Sequence, residues 1–182
     1  MSDIGSYYHV PVGEWLFGSN PDVQAARIRA ENYQDSNGGY EGAEYSIEEF
    51  VRQWALRQLI DEYDYPKEWL GERIVIEESV TMGSSSKEAD ISLKNRSRRS
   101  FLYIEIKKRG VSNAEFREAE SQLESYLSST HTATIGMVTD GQQVKCLRKK
   151  VDPNDFEYIP DIPSFGGKVA QKARLVREIP DG

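Results

Sequence analysis

Glu105-Ile106-Lys107 sets an acid and an amine two residues apart in a run, Phe101 to Lys108, that otherwise reads as a β-strand. Side chains alternate between the faces of a strand, so Leu102, Ile104 and Ile106 point one way and Tyr103, Glu105 and Lys107 the other. One face is therefore expected to be core and the other to carry charge. Holding Glu105 and Lys107 on an apolar strand costs desolvation, which marks the pair as a candidate site; a solvated edge strand is the plain alternative. Fourteen residues separate Glu105 from Asp90. Ile91 and Leu93 alternate with Asp90, so in a hairpin of matching register Asp90 comes to lie beside Glu105 and Lys107. Two adjacent carboxylates repel. A hard divalent cation such as Mg2+ removes that repulsion and takes the oxygen ligands they offer. A lysine beside the ion can orient or deprotonate a water, or stabilise a phosphate oxyanion.

Positioning these residues requires a hairpin and the helices that cover it. Ser46 is a good N-cap with Glu49 in capping-box spacing, and Ile47, Phe50, Val51, Trp54, Gln58 and Leu59 recur at three-and-four spacing, predicting a helix over 46–63 that Pro66 stops. The β-branched run over 73–80 predicts a strand closing at Gly83, and 89–93 a second. The polar, basic turn from Lys94 to Ser100 joins that second strand to the Glu105 strand as its antiparallel neighbour. Phe116, Ala119, Leu123, Tyr126 and Leu127 form one stripe of a helix over 113–129. A strand over 132–139, a turn at Asp140-Gly141 and a return strand over 142–147 follow. The order helix, three strands, helix, two strands describes an α/β domain with a single mixed sheet flanked by helices. Residues 1–44 read as an N-terminal extension, with an apolar knot at Trp15, Leu16 and Phe17 and a short helix over 21–32. Residues 45–150 form the domain. Residues 151–182, rich in Pro and Gly, read as a C-terminal extension that packs on it and ends in a short strand or helix.

The formal charge of −7 argues against coating nucleic acid by bulk electrostatics, yet basic residues gather at Lys94, Arg96, Arg98 and Arg99, at Lys107, Lys108 and Arg109, and at Lys145, Arg148, Lys149 and Lys150. A local basic rim can hold a phosphate backbone, which makes Arg96, Arg98, Arg99 and Lys108 candidate DNA contacts. The single cysteine, Cys146, admits no internal disulfide and fits a reducing compartment. No apolar run approaches the ~20 residues of a membrane span, and the N-terminus lacks a secretory signature, so a soluble cytoplasmic protein is expected. Gly166-Gly167-Lys168-Val169 lacks the spacing and the hydroxyl residue of a phosphate loop, which excludes an ATP site on this chain. His9 and His131 have no partners at metal or triad spacing, and the serines at 84–86 have no base.

Asp90 followed by Glu105-Ile106-Lys107 resembles the PD-(D/E)xK nuclease signature, with Ala89 where the signature's name has proline. Glu48-Glu49-Phe50-Val51-Arg52-Gln53, then Leu59 and Asp64-Tyr65-Pro66, resembles the opening of the N-terminal nuclease domain of the type I restriction enzyme R subunit. Ala89-Asp90-Ile91, Ile104 to Lys107 and Thr139-Asp140-Gly141 fall in that family's order, and the similarity runs over residues 46–150. The resemblance implies a restriction-endonuclease-like mixed sheet, α-β-β-β-α-β-β, and a DNA nuclease that uses Mg2+ or Mn2+. Asp90, Glu105 and the backbone carbonyl of Ile106 would hold the metal, and Lys107 would orient or activate the attacking water. An acid of the first helix, Glu49 or Glu48, would complete the site. Gln122 and Tyr126, one turn apart, match the Gln-x-x-x-Tyr motif thought to hold the DNA strand. The setting implied is restriction or DNA processing, as a stand-alone domain whose partners would be DNA and the translocase, methyltransferase or specificity subunits of a restriction system. A nuclease-fold DNA-binding or regulatory subunit with little or no catalysis is the alternative. Strandedness, endo- or exonucleolytic action and homo-oligomerisation stay open.

Overall fold

A computed structural model of the chain describes residues 44–166. The expected apolar knot at Trp15 to Phe17 and the helix over 21–32 lie outside the described residues. Helix α1, Glu44–Asp61, is buried over most of its circumference: Phe50, Val51, Trp54, Ala55, Leu56 and Leu59 are covered, and so are Glu49, Arg52, Gln53 and Gln58. It already runs through Ser46, so the capping box expected there does not begin it, and the Glu49 carboxylate bonds along the helix instead. Past its end the N–H groups of Glu62 and Tyr63 both turn back to the Gln58 carbonyl, and Asp64 takes a left-handed φ of 61° that its short polar side chain tolerates. Pro66 then prevents any continuation.

Six strands form one sheet in sequence order: β1 Ile74–Met82, β2 Ser85–Lys94, β3 Ser100–Ile106, β4 Ile135–Thr139, β5 Val144–Lys149 and β6 Phe156–Ile159. All neighbours are antiparallel except β3 and β4, which are parallel because helix α2, Asn113–Ser129, carries the chain across between them. A capping box opens α2: Ser112 accepts from the Glu115 N–H while the Glu115 carboxylate accepts from the Ser112 N–H. The fold is thus the expected mixed sheet with helices on both faces. β6 adds a sixth strand that the sequence pattern did not separate from the C-terminal extension. Behind it Asp161 and Ile162 are buried, and Tyr63 donates to Asp161 Oδ1 at 2.6 Å, which ties this segment to the end of α1.

The two faces of β3 differ from expectation. Leu102, Ile104 and Ile106 do pack under α1. The opposite face is not wet: α2 covers it, and Tyr103 packs there against Leu123, Tyr126 and Val138. A parallel strand pair brings a crossover helix onto the sheet, and that helix needs an apolar floor. Glu105 therefore stands in a buried layer. The β1–β2 arm changes faces along its length. Ile74, Ile76, Ile91 and Leu93 pack in the layer under α1, whereas Val80 and Ala89 pack in the layer under α2. Residues of equal parity share a face in a regular strand, so the arm swivels between these groups, around Glu77 and Asp90.

Candidate active site

Pairing between β2 and β3 runs as far as Ile91 opposite Ile104, and the next residues outward are Asp90 and Glu105. There a side chain replaces the main chain: Asp90 Oδ2 accepts the Ile106 N–H at 2.7 Å. On the other side the Lys107 N–H donates to the Thr139 carbonyl of β4 at 2.9 Å, so the end of β3 is pinned from both neighbours. Glu105 is 4% exposed, and its carboxyl is in hydrogen-bonding contact with that of the half-buried Asp90. Its Oε2 is buried with no hydrogen-bond partner. Burial, and then the charge on Asp90, push the Glu105 carboxyl well above its ordinary range, with Lys107 opposing. Burial also raises Asp90, against the Ile106 N–H and the charges of Arg52 and Lys107. Two adjacent carboxyls, one buried and one half-buried, offer the oxygen donors that suit a hard divalent cation. Asp90 and Glu105 are the side chains that could hold one. Among the described residues no three His, Cys, Asp or Glu side chains form a metal-holding group, so further ligands would have to come from main-chain oxygens or water.

Two cavities adjoin the site, the smaller reaching Asp90 and the larger Lys107. The larger, about 380 Å3, is lined by Lys107, Lys108 and Val111 after β3, by Gln122 on α2 and by Glu48 on α1. The smaller, about 170 Å3, lies between α1 and the β1–β2 arm and reaches Asp90 and Ile106. Glu48 lines both, and its charge adds to the upward push on Glu105. Glu49 is placed differently. It is 2% exposed, its Oε2 accepts from Arg52 Nε at 2.7 Å and from Arg52 Nη2, and its Oε1 accepts from Gln53 Nε2 at 2.8 Å. Both helix acids that the sequence left open line the smaller cavity, Glu48 also lines the larger, and the Glu49 carboxylate is bonded to Arg52 and Gln53 of α1.

Tyr126 has no exposed surface, so a direct hold on a DNA strand does not fit it. Its ring packs on Tyr103 at 5.8 Å between centroids, and its hydroxyl accepts from Gln122 Nε2 and donates to the Glu88 carbonyl at 3.1 Å. Burial and the Glu105 charge raise the phenol above its ordinary value. It thereby fastens β2 two residues from Asp90. Gln122 is partly exposed on the wall of the larger cavity, with Oε1 3.4 Å from Lys87 Nζ. Lys107 and Lys108 lie at the site. Arg96, Arg98 and Arg99 do not: they occupy the exposed turn at the far end of the β2–β3 hairpin, roughly 15 Å along the strands from Asp90.

Two residues of the site carried no role in the sequence reading. Arg52, 5% exposed, reaches beyond Glu49 to Glu77 of β1, with Nη1 and Nη2 each 3.1 Å from Oε1. The signals were present. Arg52 and Gln53 stand three and four residues after Glu49, the spacing of helical side-chain pairs. A hairpin turning at Gly83 sets Glu77 across from Asp90. The turn Thr139-Asp140-Gly141 is self-contained: Asp140 Oδ1 accepts from the N–H groups of Gln142 and Gln143, both at 2.9 Å.

No described helix is long and apolar enough to cross a membrane. No curated protein and no solved structure matches the chain. A family model does: that of the type I restriction enzyme R protein N terminus matches residues 47–163, from α1 through β6, and the chain belongs to that family.

Proposed function

We propose that the chain hydrolyses phosphodiester bonds in DNA with Mg2+ or Mn2+ at the Asp90–Glu105 pair. The observation that carries this reading is the buried Glu105 carboxyl, its Oε2 unpartnered, beside Asp90 on the wall of the smaller cavity, with Lys107 following on the wall of the larger. Such a pair costs stability unless a cation completes it. Asp90, Glu105 and the Ile106 carbonyl would hold the ion, and Glu49 or Glu48 would act on it through water. The ion would supply Lewis acidity at a phosphoryl oxygen and lower the pKa of a bound water. Lys107, which directly follows β3, would orient the attacking water or take its proton, and Lys108 and Gln122 would hold the DNA backbone along the larger cavity. Membership of the R-protein family supports a restriction setting, with DNA and the translocase, methyltransferase or specificity subunits of such a system as partners.

Incubation with supercoiled, linear and single-stranded DNA in Mn2+, with and without chelator, tests the reading. Cutting is expected in Mn2+ alone and should fall more than about 100-fold in Asp90→Asn and in Glu105→Gln, since each removes a ligand and not merely its support. Undiminished cutting by both variants would overturn it. DNA binding without cutting would leave the chain as a nuclease-fold binding or regulatory subunit.

A further inference from the structure

The swivel in the β1–β2 arm needs something to hold it. Continued pairing would set Glu77 directly across from Asp90, two like charges in the least favourable cross-strand position. The ladder omits this pair: Ile76 is opposite Ile91 and Glu78 opposite Ala89, and Glu77 and Asp90 are not paired. Glu77 takes a left-handed φ of 54°, a conformation that a long side chain rarely adopts unless its surroundings impose it. The contact that imposes it comes from α1. Arg52 places Nη1 and Nη2 on Glu77 Oε1 while its Nε and Nη2 hold Glu49, so one buried guanidinium joins α1 to the swivel. The guanidinium lines the smaller cavity together with Asp90, whose charge acts on it as do those of Glu49 and Glu77. The planar fork with several fixed donors is what this arrangement uses, and lysine does not supply it.

We infer that Arg52, acting through Glu77, is a positioning residue of the carboxylate site: it holds the break in β1–β2 that frees Asp90 from the ladder and turns it to the Ile106 N–H beside Glu105. Its role in catalysis rests on the metal-nuclease reading above; its role in placing Asp90 does not. Without the clamp the arm returns toward regular pairing, and Asp90 leaves the Ile106 amide.

Hydrogen exchange at the Ile106 amide, followed together with Mn2+ titration by calorimetry, tests this in the full chain. In Glu77→Ala, with Arg52 still holding Glu49, the Ile106 amide should exchange at least tenfold faster while the Leu123 amide of α2 keeps its protection, and Mn2+ affinity should fall about tenfold or more. Glu77→Gln, which keeps an acceptor for the guanidinium, should recover most of both. Arg52→Lys should behave as Glu77→Ala does; should it fail to fold, Glu77→Ala decides. Unchanged Ile106 exchange in Glu77→Ala would overturn the inference. If the unsubstituted chain takes up no Mn2+, the metal reading falls, and the Ile106 amide alone still decides the role of Arg52.

Discussion

Glu105 is buried against Asp90, with Lys107 and Arg52 opposing the two charges. The burial is unfavourable to the charged form, and the sign follows from linkage. The carboxyl binds its proton more tightly in the fold than at its ordinary value near 4.5, so the folded state loses stability as pH rises from about that value through the raised one. A glutamine at this position keeps the shape and removes the titration. Glu105→Gln is therefore expected to stabilise the metal-free protein at neutral pH by about 1–2 kcal/mol, a size common for relieving a strained functional site. That corresponds to a few degrees in Tm for a chain of this length. Melting curves in chelator at pH 5 and pH 8 measure it: the gain over the parent should be larger at pH 8. A variant that melts earlier than the parent at both pH values would mean that Glu105 is a structural acid. Stabilisation coupled to loss of Mn2+-dependent cutting is the pattern of a residue kept for chemistry against its stability cost.

Between the elements, β4 and α2 approach so closely that a residue type is dictated. An added Cβ on Gly136 would stand 2.7 Å from Leu123 Cδ1 and 2.9 Å from Leu123 Cγ. Rotating Leu123 about χ2 moves Cδ1 but leaves Cγ, and a change of χ1 large enough to clear Cγ is restricted by the preceding helical turn, so Leu123 or α2 would have to shift. Gly136→Ala should cost about 1–3 kcal/mol, the usual range for overpacking a filled core, and pairing it with Leu123→Ala should return part of the loss. Denaturant midpoints of the two single variants and the double variant measure this; strictly additive losses would mean that the contact is not the cause. Much at this scale was legible in the sequence. The stripe Phe116, Ala119, Leu123, Tyr126, Leu127 marked α2, and the basic turn between two short strands marked the β2–β3 hairpin, because both patterns are local in the chain. Asp90 and Glu105 could be placed together for the same reason. What escaped notice was non-local. β6 is four residues between turn-rich segments, with no alternation long enough to mark it. The crossover that puts α2 over the Glu105 face is set by the parallel pairing of β3 with β4, which strand periodicity alone does not show. The break at Glu77 arises from a contact with α1, twenty-five residues earlier.

Over the whole molecule the question is where positive charge meets DNA on a body of net charge −7. Sequence clustering ranks the Lys94 to Arg99 turn with Lys107 and Lys108, but the fold sets the two groups at opposite ends of β3, with the strand between them covered on both faces by helices. A backbone seated at the Asp90–Glu105 pair therefore passes Lys107 and Lys108 directly, and reaches the arginine turn only by rounding a helix or the β1 edge. The acidic body opposes such a path, since long-range repulsion weakens contacts made away from the local basic rim. Replacing Arg96, Arg98 and Arg99 together by alanine should accordingly leave Mn2+-dependent cutting of a short duplex within about twofold of the parent, whereas Lys108→Ala should lower it about tenfold, the worth of one charged hydrogen bond to phosphate. The salt dependence of binding should follow the same division. Each lost phosphate contact lowers the log–log slope by about 0.9, so Lys108→Ala should flatten it by roughly one unit, and the triple arginine variant should leave it unchanged. Binding titrations of a short duplex between 50 and 200 mM salt, the range over which phosphate contacts show most clearly, read this directly. A slope reduced by two or more in the triple variant would place the arginine turn on the DNA and require the duplex to bend around the edge of the sheet.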